Sequence, residues 1–182
     1  MELKFPPSLI ILCFFFVFVC GDAIESPQYT VVHSESDFEV RLYRETAWMS
    51  APVRGISFDK ATREGFHRLR QYVHGANTNS SQLKMTAPIL TTVIPQEKSS
   101  DYLVSFYISS RLQQSIPLPL PQQNLQFKKW GNHCIAIRKF SGFAHDTNIG
   151  DEVGNLVASI GEPHLPNSNI SEGYFSTFKV PI

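Results

Sequence analysis

A pattern of strands and a helix that recurs after 87 residues constrains the fold of this 182-residue chain more than any other feature. Aligned without a gap, Gly55 falls on Gly142 and Asp59 falls on Asp146. Each copy has apolar residues at helical spacing, and each is preceded by a segment that alternates between apolar and polar residues, at 38–40 in the first and 125–127 in the second. A repeat of this length predicts two similar units that share one core.

The repeated segments predict an α+β domain. We expect a distorted antiparallel β-barrel made of two halves related by a pseudo-two-fold axis, with two α-helices packed on its outside. Asp59 and Asp146 are the predicted N-caps of these helices. The apolar stripe consists of Phe66, Leu69 and Val73 in the first helix, and of Ile149, Val153, Leu156 and Ile160 in the second.

One strand of the first half has no counterpart in the second. Residues 102–108, YLVSFYI, form the most apolar predicted strand of the first half. Their counterpart would fall at roughly residues 189–195, beyond Ile182. Either the second half lacks this strand or the chain is a truncated product, and truncation is the favoured interpretation. The sheet edge left open could accept a protein partner by strand addition.

The N-terminal segment predicts export. Residues 9–19 are eleven apolar residues in a row, with Lys4 before them and the small residues Gly21 and Ala23 after them. This layout is typical of a secretory signal peptide, here residues 1–21, cleaved after residue 21 or 23. A run of eleven is too short to span a bilayer, so stable membrane insertion is not expected. The predicted location is the secretory pathway, ending outside the cell or in a vacuole.

Charge and cysteine content exclude other classes. The chain has 16 basic and 16 acidic residues, a balance that argues against a nucleic-acid partner. Cleavage of the signal peptide would leave Cys134 as the sole cysteine, which excludes an internal disulfide and predicts a small core residue. Two Asn-x-Ser sequons, at Asn79 and Asn169, are predicted glycosylation sites.

The chemistry visible in the sequence favours binding over catalysis. The chain contains no Gly-x-Ser-x-Gly elbow, no phosphate-binding glycine loop and no His-Glu-x-x-His motif. In the first helix, Arg63, Phe66 and Arg70 are spaced to share one face. An apolar surface bordered by two guanidinium groups suits a planar ligand that carries carboxylates. The same spacing also fits a solvated arginine row beside the core, which this segment alone favours.

Several segments together resemble the SOUL haem-binding protein family. They include residues 25–43, 65–77 and 102–108, with Met-Thr-Ala-Pro at 85–88 and Arg-Lys-Phe-Ser-Gly at 138–142, and they occur in family order. The resemblance implies one SOUL-like domain over residues 25–182, a distorted barrel with two flanking helices. It also implies reversible binding of haem or iron-free porphyrin without catalysis. Family members usually continue into a further strand, so the domain is expected to lack its last strand.

The family's pocket, carried over position by position, implies a set of site residues. The resemblance assigns Arg63, Arg70 and Lys179 to the propionates, Phe66 to the macrocycle, and Gln71 to the same pocket. Some family members are proposed to ligate iron through a histidine at the position of Leu42, a route closed here. His67 and His33 are the remaining candidate iron ligands.

A second class of function also fits the sequence. The chain could bind another apolar ligand, or act as a protein-interaction domain without a haem role. The leucine at position 42 and the open sheet edge support this alternative. Competition by iron-free porphyrin would separate the two hypotheses.

Overall fold

The computed structural model describes residues 24–55, 57–97 and 99–161. The predicted signal peptide, Lys179, Asn169 and the segment where the last strand would be sought lie outside these ranges. No helix within them is long and apolar enough to cross a membrane.

Seven strands and two α-helices make up the described domain. The strands are β1 (Tyr29–Ser34), β2 (Glu39–Tyr43), β3 (Thr46–Arg54), β4 (Ile89–Pro95), β5 (Ser100–Tyr107), β6 (Gln126–Trp130) and β7 (His133–Ile137). The helices are α1 (Phe58–Val73) and α2 (Ile149–Ile160), and two single 3₁₀ turns cover Ser110–Leu112 and Pro121–Gln123.

The strands form two antiparallel sheets that follow one another along a bent ladder. One sheet has the order β1-β2-β7 and the other β4-β5-β3-β6. Tyr43 of β2 pairs with His133 of β7, and Thr46 of β3 pairs with Trp130 of β6. The pairing register is the same in both sheets. The two short links 44–45 and 131–132 therefore bend the paired strands from one sheet into the other without shifting their register. The α+β class is therefore confirmed.

Several elements recur at the predicted offset. β6 begins and ends 87 residues after β2, β7 begins 87 residues after β3, and α2 ends 87 residues after α1. A closed barrel is not seen among the strand pairings of the described residues, which form the two sheets above. The pseudo-two-fold barrel thus remains a proposal.

The N-terminus of α1 is capped by Asp146, which lies in the segment just before α2. The carboxylate of Asp146 accepts hydrogen bonds from the backbone N–H groups of Phe58, at 2.7 Å, and of Asp59, at 3.3 Å. In return, Asp59 accepts from the backbone N–H of Asp146 at 3.3 Å and contacts His145 Nδ1 at 3.0 Å. The prediction that each aspartate caps its own helix is wrong, because the N-cap positions are Ser57 and Asn148.

The main core lies between α1 and the four-stranded sheet. Strand alternation turns Met49 and Ala51 towards α1, and turns Trp48 and Ser50 to the opposite face. Gly65 lets the helix approach closely, since a Cβ there would lie 2.4 Å from a methyl group of Val104. A smaller cluster under α2 contains Phe38, Val40 and Leu156, with Ala136 and Ile160 packed against it.

Cys134 is not a core residue. It lies on β7 opposite Leu42 of β2, and both side chains are exposed. The apolar neighbours in the sequence predicted burial, but α2 covers the three-stranded sheet only around Phe38 and Val40. The prediction failed because burial on a sheet face depends on how far the covering helix extends.

Candidate functional site

The outer face of α1 brings together most of the predicted binding residues. Arg63, His67 and Arg70 follow one another at spacings of four and three residues, Gln71 lies four residues after His67, and all four are exposed. Phe66 lies at the border of this face, half-buried, and packs against the main core cluster. The helix is held in this orientation because its opposite face is buried on the sheet by Phe58, Ala61, Gly65, Leu69, Tyr72 and Val73.

Arg63 and Arg70 differ from the arginines that support the fold. Arg41 pairs with Glu39 at 2.7 Å, and Arg138 pairs with Glu152 at 3.0 Å. Neither Arg63 nor Arg70 has an ion pair within the described part of the chain. The two residues are seven positions apart, about 10 Å along the helix axis. The α1 face therefore presents two separated guanidinium groups, available for carboxylates, on either side of Phe66.

Neither of the two histidines proposed as iron ligands offers a free and accessible Nε2, because that of His67 is hydrogen-bonded and that of His33 is buried without a hydrogen-bond partner among the described residues. His67 Nε2 lies 3.0 Å from the amide nitrogen of Gln71, which can only donate, so the lone pair of His67 Nε2 is occupied. His33 Nε2 lies 3.1 Å from a carboxylate oxygen of Glu35. His33 is on β1, in the other sheet from the one that α1 covers. The structure thus does not place His33 beside the α1 face.

A row of aromatic rings begins on the face of the four-stranded sheet opposite to α1, and the sequence reasoning missed it. Its neighbouring ring centroids are 5.1–5.8 Å apart, and the row crosses the bend between the two sheets. Only the strand pairing could reveal it, because the rings come from six strands, and the short link before β7 brings two of them together. The aromatic row consists of Tyr29, Tyr43, His133, Trp130, Trp48 and Tyr107.

Arg41 anchors one end of the aromatic row. Its guanidinium carbon lies 4.2 Å from the centroid of the Tyr29 ring, a cation–π contact. Its Nε and Nη2 donate to one oxygen of Glu39 at 2.9 and 2.7 Å. Burial lowers the pKa of Arg41, but hydrogen bonds with Tyr43 and Glu39 outweigh it and hold the pKa above its usual value. Arg41 is therefore a fixed cation that supports the rings.

The described residues contain no group of three or more His, Cys, Asp or Glu side chains that could hold a metal ion. Asn79, a predicted glycosylation site, is exposed on the loop that follows α1.

Comparison with known proteins identifies the family. The model of the SOUL heme-binding protein family matches residues 24–181. Heme-binding protein 2 of Homo sapiens is 29% identical over 149 residues, 78% of this chain and 72% of that protein. The Mus musculus protein of the same name is 26% identical over 149 residues, 79% and 72% of the two chains. Heme-binding protein 1 of Xenopus laevis is 28% identical over 127 residues, 68% and 66% of the two chains. The chain belongs to the SOUL haem-binding protein family.

Proposed function

We propose that this protein binds haem or iron-free porphyrin reversibly, as a carrier or buffer and not as an enzyme. Membership of a family described as haem-binding supports the ligand class. The observation that carries the proposal is the pair Arg63 and Arg70, exposed and without ion pairs in the described residues, on either side of the half-buried Phe66.

The α1 face matches a tetrapyrrole in shape and charge. A porphyrin is flat and apolar with carboxylates at one edge, so Phe66 would contact the ring while Arg63 and Arg70 pair with propionates. Gln71 would donate a hydrogen bond at the same edge, and Lys179 is the third proposed cation. Burial of about 200 Å² of ring surface contributes roughly 5 kcal/mol at 25 cal/mol per Å². The entropy lost on association reduces this gain, so micromolar dissociation constants are expected.

The test is a fluorescence titration with protoporphyrin IX, which has no iron. Replacement of both Arg63 and Arg70 by Ala should raise the dissociation constant by up to about 30-fold, since exposed ion pairs contribute about 0.2–1 kcal/mol each. The matched control replaces Arg54 and Arg111, two exposed arginines away from this face, and should leave the constant unchanged. Equal affinity in both double variants would overturn the role of the α1 face.

The rival function is binding of another apolar ligand or of a protein strand. In the described residues β6 pairs only with β3 and β7 only with β2, so each has one edge without a partner strand there. Displacement of a bound apolar dye by protoporphyrin IX would support the tetrapyrrole, whereas a dye left in place would support the rival.

The secretory location is also proposed. The predicted signal peptide and the sequons at Asn79 and Asn169 support it, and Asn79 is exposed as an acceptor must be. Expression of the full chain in a eukaryotic cell should give a product that loses mass on treatment with an N-glycosidase. A product of unchanged mass that stays in the cytosol would contradict this location.

The finer architecture is proposed as well: a distorted barrel of two halves related by a pseudo-two-fold axis. The recurrence of elements after 87 residues and the reciprocal hydrogen bonds between Asp59 and Asp146 support it. An experimental structure of residues 22–182 would test whether the second sheet closes onto the first.

A further inference from the structure

His133 lies in the middle of the aromatic row, held by rings on both sides. Its imidazole stacks on Tyr43, with centroids 5.8 Å apart and planes 18° from parallel. On the other side it meets Trp130 edge-on, at 5.4 Å and 78°. The side chain is half-buried, so its orientation is restricted while part of the ring still reaches solvent.

A backbone contact determines which nitrogen of His133 carries the hydrogen. Nδ1 lies 2.6 Å from the carbonyl oxygen of Gly131. A carbonyl only accepts, so Nδ1 is the donor and Nε2 of the neutral ring has a free lone pair. No donor contacts Nε2 in the described part of the chain. Metal-binding histidines are typically oriented in this way, with one nitrogen bound to a carbonyl and the other directed at the metal.

The other histidines meet these conditions less well. His67 Nε2 is hydrogen-bonded, as shown above, and His33 Nε2 is buried beside the Glu35 carboxylate, 3.1 Å away. His74 Nδ1 also contacts a backbone carbonyl, that of Arg70, at 2.8 Å. His74 is exposed, however, and no aromatic ring contacts it in the described residues.

We propose that His133 is the axial ligand for the iron of a haem bound on the aromatic row. This site is separate from the α1 face, because Trp48 and Trp130 lie on the side of the sheet opposite to α1. The proposal rests on the proposed function in that it takes haem as a ligand of this protein.

The surroundings of His133 fit a haem. Tyr29, Tyr43 and Trp130 offer ring faces and edges to a macrocycle, and 45% of the Tyr29 side chain is exposed. Lys128 is exposed on the same face of β6 as Trp130, two residues away, where it can pair with a propionate. Imidazole is a common axial ligand of haem iron, and a bound haem would supply the remaining coordination through its own nitrogens.

The experiment is a haemin titration of the full chain, followed by Soret absorbance and by electron paramagnetic resonance of the ferric iron. The Arg63→Ala/Arg70→Ala background removes the contribution of the α1 face. In this background we expect a shifted Soret band and a nitrogen-ligated signal. His133→Phe keeps an aromatic ring in the row and should abolish that signal, whereas His67→Ala and His74→Ala should retain it.

Rescue and iron-free controls separate the two proposals. Free imidazole added to His133→Gly should restore the nitrogen-ligated signal. The loss of protoporphyrin affinity caused by Arg63→Ala/Arg70→Ala should be the same whether position 133 is His or Phe, because iron-free protoporphyrin has no metal for His133 to ligate. If the haemin spectrum were unchanged in His133→Phe, the proposal that His133 ligates the iron would be overturned, while the proposed function would stand. Failure of the native chain to bind both haemin and protoporphyrin would instead overturn the proposed function.

Discussion

The two helices occupy corresponding places in the repeat but are held to the domain by different forces. Six residues of α1 are buried, whereas Leu156 alone is buried in α2. Polar contacts hold α2 instead: Arg138, which follows β7, binds Glu152 of α2 at 3.0 Å and Asp37 at 3.2 Å, and Ser159 donates to Asp37. A shared pattern of apolar positions therefore does not imply a shared packing energy.

The cause of the difference lies in the surface beneath each helix. α1 covers a four-stranded sheet where Ala47, Ala51 and Gly65 are small enough to permit close approach. α2 covers a three-stranded sheet, where its packed cluster is limited to Phe38, Val40, Leu156, Ala136 and Ile160. Close packing maximises both the buried area and the dispersion energy, so α1 contributes more to stability.

Equivalent leucines of the two helices test this comparison most strongly. Leu69→Ala should destabilise the domain by about 3–5 kcal/mol, because Leu69 is fully buried in the main core cluster. Leu156→Ala should destabilise the domain by about 2 kcal/mol, near the lower end of the range for Leu→Ala in a core. The reason is that the cluster around Leu156 is small and can relax. Urea unfolding measures both values. Equal losses would show that the two helices are packed equally well.

Loss of the Asp146 cap on α1 should lower the free energy of unfolding by an intermediate amount. Asp146→Ala removes the acceptor for two N–H groups of α1 and should cost about 0.5–2 kcal/mol in thermal unfolding. Burial raises the pKa of Asp59, but hydrogen bonds from His145 and Asp146 outweigh this and hold it below the usual 3.8. Its stabilising contribution is therefore present above pH 3.8 and is lost as the pH falls through the lowered value.

The matched control for the cap is Asp151→Ala, which changes an exposed aspartate in the first turn of α2 that receives no hydrogen bond among the described contacts. This change should cost a few tenths of a kcal/mol through the helix dipole. If Asp151→Ala lowered the free energy of unfolding as much as Asp146→Ala, the cap of α1 by Asp146 would not explain the loss.

The ion pairs of α2 should give the smallest effect and the strongest dependence on salt. Arg138→Ala should destabilise by up to about 1 kcal/mol at low ionic strength and by less in 1 M NaCl. Ser159 and Arg138 hold the pKa of Asp37 below its usual 3.8, so the effect of Arg138→Ala should shrink as the pH falls through that lowered value. Leu69→Ala, which removes apolar contacts, should not respond to salt in this way.

Particular residues show how far sequence reasoning reached. The periodicity of Phe66, Leu69 and Val73 predicted α1 and its outer face, because an apolar stripe depends on local spacing. The same reasoning placed Cys134 in the core and Asp59 at its own N-cap, and both predictions were wrong. Each depends on a neighbour distant in the chain: the extent of α2 over the sheet in one case, and Asp146 in the other.

The sequence by itself determined the class of the fold, the offset of its repeat, the family and the exposed arginines of α1, since all of these follow from local patterns of residue type. The tertiary structure decided which side chains became neighbours. Strand pairing assembled the aromatic row and bent the ladder between Tyr43 and Thr46. The contact of His133 Nδ1 with the Gly131 carbonyl then determined which ring nitrogen carries the hydrogen. These features depend on register and on the meeting of distant segments, which no local pattern specifies.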